Sequence, residues 1–320
     1  MTSRTAARVL LALALTAAAT TPAFAQRIIR IVVPFGPGAV QDTVARTFNA
    51  ELGQALGASV IVENRPGAGG TVGTGQVAKA TDNNTLVLAA ASHTLAGHLY
   101  SKLDYDPIRN FVGVANIGYS GYVIAAPGNM GVNNLADYVK AIKAKPNQLN
   151  YASAGNGSAT HLGMAYFLAK AGAQMQHVPM KSTGDAVNEV LAGRVQGVTA
   201  ALIGITGFKN DPRIKILAYT GTHRSKFMPD LPTVAEAGVP GYKFDSWIGV
   251  LAPSTMPKAE VDRLNAAINK VLQDPAVQKR LDGLGVEVAG NQSVEQFQKL
   301  LKDDYEAAGA LVKASGARIE

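Results

Sequence analysis

The stretch Ile28-Ile29-Arg30-Ile31-Val32-Val33-Pro34-Phe35-Gly36-Pro37-Gly38-Ala39-Val40 decides how the chain begins to fold. Its first six residues are apolar and β-branched apart from Arg30, as in a strand buried in a parallel sheet. Proline and glycine then break the run. Val40, Val44, Phe48, Leu52 and Leu56 follow at four-residue intervals and mark one face of a helix that Gly57 ends. A buried strand, a glycine-rich turn and an amphipathic helix are the repeating unit of an α/β fold.

The unit recurs. Strands are predicted over residues 59–62, 85–90, 122–126, 149–152, 176–178, 195–199, 214–219 and 247–252. Leu135, Val139 and Ile142 share the face of a helix capped by Asn133 or Asn134, and a further helix covers residues 158–171. Pro257 opens a helix with Val261, Leu264, Ile268 and Val271 inward, and Asp274-Pro275 caps and starts another. Ser293 and Gln296 form a capping-box pattern for the last, with Phe297, Leu300, Leu301 and Tyr305 inward. This alternation predicts a mainly parallel sheet.

The 320 residues suit two domains, and 47% hydrophobic against 17% charged residues excludes a disordered chain. The absence of cysteine excludes disulfide scaffolds, thiolate metal sites and cysteine nucleophiles. No metal site and no cofactor are expected. The formal net charge of +7 is spread out, without a run of five basic residues, so no nucleic acid partner is expected.

Residues 1–25 read as a Sec-type signal peptide: Arg4 and Arg8, an apolar run over residues 9–19, and Ala23-Phe24-Ala25 as the cleavage site before Gln26. The run is too short to cross a hydrocarbon core of ~30 Å. Cleavage after Ala25 would remove two basic residues. No later segment reaches the ~18 apolar residues of a membrane span. The expected location is a bacterial periplasm.

Three small-residue loops carry the chemistry. Gly36-Pro37-Gly38-Ala39 leads into a helix, where backbone N–H groups and the positive end of the dipole favour an anion. Asp42 can satisfy first-turn N–H groups or touch a ligand. Gly67-Ala68-Gly69-Gly70 reads as turn geometry. The loop Tyr151-Ala152-Ser153-Ala154-Gly155-Asn156-Gly157-Ser158 also opens a helix, with Ser158 as N-cap and His161 one turn in. Neither glycine loop fits a dinucleotide fingerprint, because Gln41 and Val72 stand where Gly or Ala is needed, and there is no Walker lysine. Ser153 and His161 do not make a nucleophile elbow, since Tyr151 occupies its glycine position. No enzyme activity is expected.

Taken in order, the motifs resemble the Bug family, the substrate-binding components of tripartite tricarboxylate transporters. Pro34 to Gly38 with Asp42 and Ala45-Arg46, Val62-Glu63-Asn64-Arg65-Pro66-Gly67-Ala68-Gly69-Gly70, and Leu103-Asp104-Tyr105-Asp106-Pro107 carry the first half. Tyr151 to Gly157 with His161-Leu162, His177-Val178-Pro179 with Lys181, and Leu231-Pro232-Thr233-Val234-Ala235-Glu236-Ala237-Gly238 carry the second. The resemblance implies a periplasmic binding protein type II fold, two α/β lobes joined by two crossing strands. Lobe 1 would hold residues 26–125 and 247–320, and lobe 2 residues 126–246.

It also implies a monomer that captures a small organic carboxylate between the lobes. The protein would then deliver that ligand to large and small membrane subunits or to a membrane sensor. The ligand-binding residues it implies are Phe35, Gly36, Pro37, Gly38, Ala39, Asp42, Ser92 and His93 from lobe 1. Lobe 2 would add Ser153, Gly155, Asn156, Gly157, Ser158 and His161. Against the family pattern, Met180 and Ser182 replace Tyr and Gly, Ala165 an acid, and Ala200-Ala201 an Asp-Asn pair. Those losses point away from amino and hydroxy acids and toward a less polar or aromatic carboxylate.

Overall fold

The computed structural model of the chain describes residues 27–244 and 246–315. The export segment expected over residues 1–25 lies outside them. The first part comprises β1 (Ile28–Val33), α1 (Val40–Leu56), β2 (Ser59–Asn64), α2 (Thr71–Ala78), β3 (Thr85–Ala90), α3 (Ser92–Leu99) and β4 (Phe111–Tyr119). The middle comprises β5 (Tyr122–Pro127), α4 (Leu135–Lys143), β6 (Asn150–Ser153), α5 (Ala159–Ala171), β7 (Gln176–Pro179), α6 (Thr183–Leu191), β8 (Gly197–Ala201), α7 (Leu202–Ile205) and β9 (Ile214–Tyr219). The last part comprises β10 (Trp247–Pro253), α8 (Lys258–Leu272), α9 (Pro275–Asp282), β11 (Glu287–Val288) and α10 (Val294–Ser315).

These strands form two sheets, ordered β11-β4-β10-β3-β1-β2 and β7-β6-β8-β5-β9. The chain leaves the first sheet across Ser120-Gly121 and re-enters it at Trp247. β1, β2 and β3 are parallel as the sequence predicts. The sheets are nonetheless mixed. β10 runs antiparallel between β3 and β4, and β5 runs antiparallel to β8 and β9. The cause is the crossing: β10 returns from the second sheet and so enters the first from its opposite end.

Local sequence sets the elements that carry the loops. In α1, Val44, Phe48 and Leu52 are fully buried against the first sheet, and Gly57 takes φ +61 so that its N–H closes on the Gln54 carbonyl. Asn134 is the N-cap of α4 and Asp274 that of α9. Ser293 and Gln296 cap each other: Gln296 N–H donates to Ser293 Oγ, and Ser293 N–H to Gln296 Oε1. The helix they start, α10, spans both halves of the molecule. Its Phe297 and Leu301 pack on the first sheet, and its Ala308, Leu311 and Val312 share a core with Leu95 of α3 and Leu162 and Phe167 of α5. No described helix is long and apolar enough to cross a membrane.

Candidate functional site

The first loop is a tight turn. Ala39 N–H donates to the Gly36 carbonyl at 3.2 Å, Pro37 fills the second position, and Gly38 takes φ +83. That is the residue order a type II turn demands: proline with φ preset, then glycine in the left-handed region. Open space surrounds the position a Cβ on Gly38 would take. The turn delivers the chain to the N-cap of α1, where Ala39 offers no side-chain acceptor. The first-turn N–H groups of Val40 and Gln41 therefore have no partner within the helix or from its cap.

Asp42 holds this turn from below. Its carboxylate accepts from Gly38 N–H at 2.9 Å, Asn64 Nδ2 at 2.9 Å and Arg46 Nε at 3.0 Å, and the residue is 4% exposed. Burial pushes its pKa up, but hydrogen bonds from Arg46, Gly38 and Asn64 together hold it below the ordinary aspartate value. Asn64 also donates to the Phe35 carbonyl at 3.0 Å and accepts from Arg46 Nη2 at 3.1 Å. Asn64 is thus a second organiser of the loop, which the sequence motif contains but does not single out. Both nearby arginines are paired, Arg46 with Asp42 and Arg65 with Glu63. Neither is a lone cation awaiting an anion.

The second loop is turn geometry and close packing. Gly69 has φ +65, and a Cβ there would meet Tyr100 Oη at 2.6 Å, the hydroxyl that donates to the Ala68 carbonyl. Ser92 opens α3 and is partly exposed. His93, one residue on, is 4% exposed among Tyr105, Phe111 and Trp247. Its Nε2–H donates to the Pro107 carbonyl at 2.8 Å, and its Nδ1 is buried without a partner. Ser92 and His93 border a cavity of about 10 Å³ shared with Pro34, Thr74 and Tyr105.

The third loop turns most of its donors inward. Ala154 N–H goes to Thr160 Oγ1, Gly155 N–H to Ser153 Oγ, Gly157 N–H to His161 Nδ1, and Ser158 N–H to the Gly155 carbonyl. Ser158 caps α5 by accepting from His161 N–H at 3.2 Å and donates to the Gly155 carbonyl at 2.7 Å. Asn156 is the exposed member, and the first-turn N–H groups of Ala159 and Thr160 are left over at the helix N-terminus. Because His161 Nδ1 accepts from Gly157, its proton sits on Nε2.

One partnership was missed from sequence. Ser153 Oγ lies 2.6 Å from His177 Nε2, and the imidazoles of His177 and His161 stack with centroids 4.0 Å apart. Burial, then the neighbouring His161, pushes the His177 pKa down to about 4; burial lowers that of His161 too. Ser153 is fully buried, and no described ion pair gives His177 a carboxylate. With Ser153 out of reach of solvent, the pair braces the loop from within. Among the departures, Ala200 is fully buried in the core of the second sheet with Val123 and Val198, and Met180 packs against the same core. Ala165 and Ala201 are partly exposed.

Over residues 44–317 the chain matches the family described as the Tripartite tricarboxylate transporter family receptor. It is 34% identical over 302 residues, 92% of this chain and 90% of the relative, to the UPF0065 protein in the tcbD-tcbE intergenic region of Pseudomonas sp. strain P51. Among solved structures it resembles the periplasmic binding protein BugD at a TM-score of 0.77 and 32% identity, covering 93% of this chain and 100% of that one. R. palustris Rpa4515 with adipate is similar at a TM-score of 0.80 and 28% identity, covering 92% and 100%. MatC from Rhodopseudomonas palustris with bound malate is similar at 0.76 and 29%, covering 90% and 100%.

Proposed function

Since the chain belongs to the tripartite tricarboxylate transporter receptor family, whose members are solute-binding proteins and not enzymes, we propose that it captures a small organic carboxylate between two lobes. The proposed location is the periplasm, after cleavage behind Ala25, and the proposed receiver is a pair of large and small membrane subunits. The lobes are divided at the crossings. The resemblance divides them at residues 125 and 247, and the pairing of β5 with β8 and β9 supports a first division a few residues earlier, before Tyr122.

The observation that carries this reading is the N-terminus of α1. A type II turn ends on an N-cap without a side-chain acceptor, beside open space above Gly38. Uncapped N–H groups at the positive end of a helix suit a carboxylate. The fourteen implied residues divide by role. Gly36, Pro37, Gly38 and Ala39 shape the donor turn, Asp42 fixes it from behind, and Asn156 with the start of α5 meets the ligand from lobe 2. Phe35, Ser92, Gly155, Gly157 and Ser158 border the site, whereas His93, Ser153 and His161 support it from within.

Ala165 and Ala201, both partly exposed, favour a ligand without hydroxyl or amino groups along its length, so adipate, whose two carboxylates are joined by four methylenes, is the first compound to try. A thermal-shift panel of adipate, malate, citrate, benzoate and aspartate tests the proposal. A ligand at 100 times its dissociation constant stabilises by ~2.7 kcal/mol. If no carboxylate in the panel raises the melting temperature, the proposal fails.

A further inference from the structure

A cavity of about 380 Å³ lies against the C-terminal helix, and none of the fourteen candidate ligand-binding residues lines it. Tyr119 at the end of β4, Tyr166 of α5, and Phe244 and Trp247 on the returning crossing all contribute to its wall. Four aromatic rings around one space of this size suit a small-molecule site. The charged groups on the same wall are Lys243, Lys299, Asp303 and Asp304. Lys299 Nζ donates to Asp303 at 2.6 Å, and Asp304 accepts from the Trp247 indole N–H at 2.8 Å. Two cations and two carboxylates cancel, so the wall carries no net attraction for an anion.

We propose that this cavity is an accessory site for a flat, uncharged aromatic molecule, bound among Tyr119, Tyr166, Phe244 and Trp247 beside α10. The aromatic body stacks on the rings, and an acid would give up its hydration there with no net counter-charge in return. The inference does not rest on the carboxylate reading.

Trp247 is the only tryptophan in the chain, so 5-fluorotryptophan labelling gives one reporter within the cavity wall. The probe is 2-naphthol, which is neutral at pH 7. Titration should shift the single fluorine resonance saturably, and 2-naphthoate, its acidic counterpart, should bind at least tenfold more weakly. Ala307, exposed on α10, also lines the cavity. Ala307→Phe fills the space and should weaken 2-naphthol at least tenfold. Tyr166→Ala removes one wall and should weaken it as well, which keeps the test valid if the first variant fails to fold. Saturating adipate should leave 2-naphthol bound. The proposal is overturned by a resonance that does not respond, by tighter binding of the acid, by unchanged affinity in a folded variant, or by complete displacement with adipate.

Discussion

Ser120 N–H donates to the Ser246 carbonyl at 2.8 Å, so the two segments that cross between the sheets are hydrogen-bonded to each other at the crossing. Thr220 extends the tie: its N–H donates to the Tyr122 carbonyl, its Oγ1 accepts from Tyr122 N–H, and its carbonyl accepts from Phe244 N–H. A change in the angle between the sheets would bend this short ladder and shift the contacts of α10, which packs on both halves. Domain closure of this kind is absorbed by a few terminal residues of the crossing elements.

Gly121 is the tightest point of that crossing. A Cβ there would lie 1.9 Å from Tyr219 Oη. Gly121→Ala should therefore displace the tyrosine or the crossing and destabilise the fold by ~1–3 kcal/mol, the usual cost of overpacking. Urea unfolding checks this, and a midpoint indistinguishable from that of the unaltered chain would show that the crossing yields freely.

Asp42 should show its charge in the acid limb of stability. Its pKa is depressed in the folded state, so the unfolded chain binds the proton first as the pH falls. The stabilisation is complete above the unfolded value of ~3.9 and disappears as the pH drops through the lower folded value. Asp42→Asn should cost ~1.5–3 kcal/mol at pH 7, the range for hydrogen bonds to a charged group. The gap between variant and unaltered chain should narrow below pH ~4. A gap that stays constant across that range would assign the effect to shape alone.

The buried histidines act at milder pH. Burial pushes His93 down to about 4, against the opposing hydrogen bond to Pro107, and no acceptor waits at its Nδ1. An unfolded histidine titrates near pH ~6.5. Between 6.5 and about 4 the unfolded chain carries the extra proton, so stability falls as the pH drops through that window and levels off beneath it. His93 alone contributes a slope of up to ~1.4 kcal/mol per pH unit. His93→Phe keeps an aromatic ring among Tyr105, Phe111 and Trp247 and should flatten the slope by about that much. Urea midpoints at three pH values decide it; an unaltered slope would move the proton uptake to other groups.

The elements that sequence exposed are those whose pattern is local. The α1 stripe, the Gly57 terminus and the Ser293–Gln296 box each lie within a few consecutive turns. β4 escaped because its residues are shaped by neighbours far along the chain. A Cβ at Gly113 would meet Phe297 at 2.8 Å, and one at Gly118 would meet the Glu287 carbonyl at 2.3 Å. Close approach by α10 and β11 thus demands small residues where strand propensity would place branched ones. The site divides in the same way. The turn at residues 36–39 is legible because proline and glycine occupy fixed positions in it. The Ser153–His177 contact is not, because it forms only when β6 and β7 pair in register, Ser153 beside Pro179 and Tyr151 beside His177.

The sharpest comparison is between two glycines that both hold positive φ but for different ends. Gly38→Val must force a β-branched residue to φ +83, a conformation that costs a residue with Cβ ~1 kcal/mol or more, although the space around it is open. The strain falls on the turn whose Gly38 N–H is pinned to Asp42, and the new side chain enters the space in front of the α1 N-terminus. Affinity for the bound carboxylate should drop at least ~tenfold, or ~1.4 kcal/mol, while the core of α1 and the first sheet stays intact. Gly69→Val meets Tyr100 Oη and displaces its hydrogen bond to Ala68, so it should lower the unfolding midpoint more than the affinity. Calorimetric titration and urea unfolding of both variants separate the two effects. If Gly38→Val binds adipate as well as the unaltered chain does, or Gly69→Val alone abolishes binding, the carboxylate belongs to the second loop and not to the first.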